Sequence, residues 1–149
     1  MPVNVIDHLK SLHTSALDAR NGYREALKEA EGKGMAVLFR DMSALHDRHA
    51  DELARELTKR NELADDEGSF MTLVHKTIMD VRSLFSGLDD SVLPGLIDGE
   101  KRNSGKYDEA LNAADLPPNV AGLLARQRDD LAEKIALMEM EKATTERVS

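Results

Sequence analysis

The chain has 149 residues, of which 41% are hydrophobic, 32% charged and only 3% aromatic, with no cysteine and no tryptophan. That length suits one domain with a substantial core, and the balance excludes a disordered tail and, with no run of about 18 apolar residues, a membrane protein. A formal charge of −8 repels phosphate backbones, and no basic stripe interleaved with aromatics offsets it, so neither nucleic acid nor an anionic membrane surface is an expected partner.

A core filled by Leu, Ala, Val, Ile and Met suits close-packed helices better than β-branched, aromatic-rich strands. The absence of cysteine removes disulfides, thiolate metal sites and thiol nucleophiles. The opening MPVNVIDHLK lacks the basic-then-apolar order of a signal peptide, so a cytoplasmic location is the default expectation.

The first helix is predicted over residues 5–30, capped by Asn4 with Asp7 in the favourable first turn. Val5, Leu9, Leu12, Ala16, Ala19, Tyr23, Ala26 and Ala30 recur at spacings of three and four, one apolar stripe. Gly32 and Gly34 end the pattern. A second helix over 35–60 carries Leu38, Met42, Leu45, His49, Leu53 and Leu57, and closes on Lys59 and Arg60, where positive charge favours a helix C-terminus. The two form an αα-hairpin. Residues 61–68, with Glu62, Asp65, Asp66 and Glu67, read as a solvated acidic connection lacking the ligand spacing of an EF-hand. A shorter helix over 70–85 follows and carries the chain across.

The third long helix is predicted from Asp90 or Ser91 to Ala114, with Pro94 in the first turn, where a missing amide hydrogen is tolerated. Its inner positions are Leu93, Leu96, Glu100, Asn103, Tyr107, Ala110 and Ala114. Leu116 to Asn119 make a corner. The fourth helix spans 118–144, with Val120, Leu124, Gln127, Leu131, Ile135 and Met138 inward and residues 145–149 a frayed tail. Tyr23-Arg24-Glu25-Ala26-Leu27 recurs as Tyr107-Asp108-Glu109-Ala110-Leu111, and Leu9 and Leu12 map onto Leu93 and Leu96. The whole therefore reads as one all-α domain over 1–149, an up-and-down four-helix bundle of two related hairpins joined by a crossover helix.

These residues also carry a resemblance. Gly22-Tyr23 with Ala26, Gly99-Glu100 followed by Tyr107, Ala110 and Leu111, and Leu116-Pro117-Pro118-x-Val120 with Leu123, Leu124 and Gln127 resemble a family of small bacterial proteins of the ferritin-like superfamily. That family is a four-helix-bundle domain of unknown function, and the resemblance covers about residues 4–140. It implies a ferritin-like arrangement of helices and transfers no enzyme activity.

Ferritin-like di-iron proteins place a Glu on each of two helices and Glu-x-x-His on the other two. Only fragments of that set occur. His49 stands in the stripe of the second helix, but three residues before it is His46, not Glu. Glu100 matches the single carboxylate of the third helix. The first helix offers Ala16 and Ala19 at that level, and the fourth offers Gln127. A mononuclear site would draw on His46 or His49 with Glu52 or Glu100. Against that stands a plainer reading. His49 is a core imidazole, His46 a flank or interface residue, and Glu100 a carboxylate in a polar network with Tyr107, His49 or Gln127. Tyr23 and Tyr107 are core-edge residues whose hydroxyls reach a buried partner. His8, His13 and His75 show no ligand spacing and take surface or boundary roles. No phosphate loop, strained nucleophile turn or oxyanion setting occurs.

The leading expectation is thus a non-enzymatic helical protein without a cofactor, acting through self-association as a dimer or through protein interaction. Phe70, Met71, Phe85 and Leu57 are candidates for its exposed apolar strip. The alternative is a ferritin-like metal-binding or redox protein, with iron or another divalent metal in an incomplete or mononuclear site.

Overall fold

A computed structural model of the chain describes residues 5–30, 35–60, 93–113 and 116–148. Within them the regular structure is entirely helical, in four helices: α1 (Val5–Ala30), α2 (Ala36–Lys59), α3 (Leu93–Asn112) and α4 (Pro118–Val148). The expected 70–85 helix, the acidic 61–68 connection, the Asn4 cap and the Gly32 and Gly34 stop lie outside the described residues, as do Ala114, His75, Phe70, Met71 and Phe85. The chain divides into two compact units, Ile6–Asp89 and Asp90–Ser149 with Met1–Val5. None of the described helices is long and apolar enough to cross a membrane.

In the first unit α1 and α2 run antiparallel. Tyr23 meets Phe39 and His46, Arg20 meets Asp47, and Ala16 and Leu17 cluster with Ala50, so the partner number on α2 climbs as the α1 number falls. The buried face of α1 holds Leu9, Leu12, His13, Ala16, Leu17, Tyr23 and Ala26. This is wider than the predicted stripe: His13 and Leu17 join it, whereas Ala19 and Val5 are only half-buried. A helix facing a core presents an apolar arc of 100° or more, and the arc here is centred one residue beyond a strict three-four stripe. His13, expected in a surface or boundary role, is 2% exposed.

The same rotation corrects α2. Phe39 is fully buried, while Leu38, one residue or 100° away, is half-buried. Starting at Phe39, the inner face continues through Met42, Leu45, His46, His49, Ala50, Leu53 and Leu57. Leu57 is fully buried and contributes nothing to an exposed strip. Burial of each such leucine stabilises the unit by roughly 1.5–3 kcal/mol. The α2 ladder opens with the Phe39 N–H donating to the Met35 carbonyl and tightens at Arg60, whose N–H donates to Leu57.

In the second unit α3 and α4 are likewise antiparallel, with Tyr107 against Gln127, Asp108 against Arg128 and Lys101 against Glu139. The predicted inner residues Leu93, Leu96, Glu100, Tyr107 and Ala110 are buried; Asn103 is half-buried. On α4 all six predicted inner residues are buried, joined by Leu123. Pro118 opens α4, and the first amide to bond is that of Ala121, onto Pro117. The helix runs to Val148, past the Thr144 end set by the apolar stripe. No Gly or Pro interrupts it there, and Glu146 and Arg147 are good helix formers.

The two units repeat one register. Displaced by 84 positions, Leu9 and Leu93, Leu12 and Leu96, His13 and Ile97, Ala16 and Glu100, Tyr23 and Tyr107, and Ala26 and Ala110 are all buried, while Ala19 and Asn103 are both half-buried. The second helices correspond in part at a displacement of 81: Phe39 and Val120, Met42 and Leu123, His46 and Gln127, Ala50 and Leu131, and Leu57 and Met138 are buried in both, whereas the buried Leu45, His49 and Leu53 fall on Arg126, Asp130 and Lys134, which are not.

Candidate functional site

Each unit holds one tyrosine-centred polar cluster. In the first, α1 turns Tyr23 inward onto α2, where its ring stacks on that of His46, centroids 5.9 Å apart and planes at 12°. Phe39 tilts against Tyr23 at 6.2 Å, and His49 meets His46 edge-on at 6.2 Å. Phe39, Tyr23, His46 and His49 are thus joined ring to ring in the core, and the Tyr23–Phe39 contact is worth about 0.5–1.5 kcal/mol beyond its burial. His46 is therefore a core residue rather than a flank. Next to His46 in sequence, Asp47 is reached by both Arg20 and Arg24, at 3.0 and 3.5 Å.

In the second unit the buried Tyr107 hydroxyl donates to the Gln127 amide oxygen at 2.7 Å. Beside it Asp108 pairs with Arg128 at 3.1 Å. The correspondence between units is close: Tyr23 maps onto Tyr107, its partner His46 onto Gln127, and Asp47 onto Arg128. The neighbouring ion pair is kept but its polarity is reversed, Arg24 with Asp47 in one and Asp108 with Arg128 in the other. Glu100 is 2% exposed and accepts a hydrogen bond from Asn103 Nδ2 at 3.0 Å, one turn along its own helix. Lys101, next to it, points outward to Glu139 at 2.9 Å. The hydrogen bond from Lys101 to Glu139, and then that carboxylate's charge, hold the lysine above its ordinary pKa.

Of the metal candidates, His46 and His49 adjoin on α2, Glu52, one turn beyond His49, is half-buried, and Glu100 is buried on α3. Among the described residues no three His, Asp or Glu side chains are grouped to hold a metal ion. Three buried polar residues escaped the sequence reading: His13, Ser43, which donates to the Arg40 carbonyl, and Glu56, which pairs with Lys59 at 3.3 Å. Position was the available signal. His13 follows Leu9 by four and precedes Ala16 by three, on the stripe itself.

Four helices among the described residues, paired in two antiparallel hairpins with a buried tyrosine and a polar partner in each, define an all-α protein. More particularly, the chain belongs to the family described as Domain of unknown function (DUF2383), which it matches over residues 4–113, from the start of α1 to the end of α3. No curated protein and no solved structure matches it.

Proposed function

We propose that this protein is a non-enzymatic helical domain that acts through self-association, most simply as a two-fold dimer. The observation that carries the reading is the outward apolar surface of α4. Leu137 and Met140 are 50% and 66% exposed, three residues apart on the face opposite Leu131, Ile135 and Met138. A helix with apolar residues on both faces has one face more than its own hairpin uses. The polar clusters support the same reading, since each tyrosine is engaged by packing or a hydrogen bond that holds a hairpin together. The ferritin-like arrangement of the helices belongs to this proposal too, supported by four long helices close to the expected places.

Light scattering after size-exclusion chromatography tests the reading. The expected mass is twice that of the 16.5 kDa chain. A single-chain mass at micromolar concentration and above overturns it.

A further inference from the structure

The outer face of α4 has a seam of its own. Glu133, Leu137, Met140 and Thr144 follow one another at spacings of four, three and four, the interval of a coiled-coil core line, and all four are exposed. The seam is about 16–17 Å long. At its C-terminal end the Thr144 hydroxyl donates to the Met140 carbonyl of its own helix at 3.0 Å, which satisfies that hydroxyl within α4. Along one flank run the small residues Ala136 and Ala143, both exposed, which let a second backbone approach closely. Along the other flank stand Lys134 and Glu141, seven residues apart and so on one line of the helix.

That flank is complementary to itself in one direction only. In an antiparallel pair of helices a flank faces the same flank of its partner, so Lys134 of each copy meets Glu141 of the other, twice over. A parallel pair would set Glu141 beside Ala136 of the other copy and leave the complement unused. Arg126 and Asp130 continue the core line towards the N-terminus and confine the apolar contact to residues 133–144. We propose that the occupant of this face is a second copy of the same chain, with α4 packed antiparallel on α4 about a two-fold axis near residue 138. This rests on the self-association reading above and adds the surface, the direction and the register.

Measurements on the 149-residue chain decide it. Because the chain has no cysteine, Lys134→Cys and Glu141→Cys each carry a single thiol. Under mild oxidation a one-to-one mixture of the two is expected to cross-link into a mixed disulfide dimer, and each variant alone far less. Lys134→Glu is expected to weaken the dimer about ten-fold by turning both rim attractions into repulsions. Adding Glu141→Lys to it restores the affinity to within about three-fold. Helicity by circular dichroism is expected to be unchanged, since Lys134 is half-buried and Glu141 exposed. A wild-type monomer by light scattering overturns the self-association reading itself. A wild-type dimer with no mixed disulfide and no charge-swap rescue overturns the α4 seam and leaves that reading standing.

Discussion

The Tyr107 hydroxyl and the Gln127 amide oxygen, 2.7 Å apart and buried, make a sharp single-residue test. Tyr107→Phe keeps the ring and removes the donor, so the amide oxygen loses a partner out of reach of water. The expected loss is about 1–2 kcal/mol of unfolding free energy, read from urea denaturation with an unchanged m-value. A second outcome at this scale concerns iron. Anaerobic reconstitution with ferrous iron is expected to leave substoichiometric metal by elemental analysis, since the imidazoles of His46 and His49 have no third grouped ligand among the described residues. One or two tight equivalents, lost in both His49→Ala and Glu100→Gln while helicity persists, would make the metal-binding reading the leading one. The site was half legible in sequence. Tyr23, Tyr107, Gln127, His49 and Glu100 could be placed inward by spacing alone. The stacking of His46 on Tyr23 could not, because it depends on how far α2 is rolled about its axis, and a rotation of one residue decides whether His46 or a neighbour faces the tyrosine.

At the scale of the helix the same roll accounts for most differences between pattern and structure. The α2 stripe can be started at Leu38 or Phe39, and both give apolar spacings of three and four. Packing against Tyr23 selects Phe39. Phe39→Ala is therefore expected to cost about 3–5 kcal/mol, whereas Leu38→Ala, at a half-buried position, costs markedly less; thermal or urea unfolding of the two variants gives the comparison. A small effect at Phe39 with a large one at Leu38 would reverse the assigned face. The long helices and their antiparallel pairing were readable because each apolar stripe runs the length of its helix, and Pro117 stands before α4. The C-terminal end of α4 was not. Hydrophobic spacing marks where a core face stops, and a helix continues past that point as long as its residues favour it.

On the scale of the molecule, charge opposes association. Two bodies of −8 each, with centres taken as ~25 Å apart, repel by roughly 4–5 kcal/mol at ~10 mM salt and by under about 1 kcal/mol at ~150 mM, as the screening length falls from about 30 to 8 Å. The rim pairs contribute about 1 kcal/mol or less each, so the net-charge effect wins. The dimer is expected to tighten as sodium chloride rises over that range, seen as a lower midpoint concentration in dilution light scattering. Weakening with salt would mean that specific ion pairs dominate the interface. The reversed polarity of the two hairpins' ion pairs bears on a different problem, that of a chain sorting its own look-alike parts. Were α1 to collapse onto α4 in the repeated register, Arg24 would meet Arg128; were α3 to collapse onto α2, Asp108 would meet Asp47. Each such exchange would trade an attraction for a repulsion, on the order of 1 kcal/mol and about five-fold in population. Two segments alike enough to substitute for one another thus carry opposite keys, and each key fits the partner helix of its own hairpin.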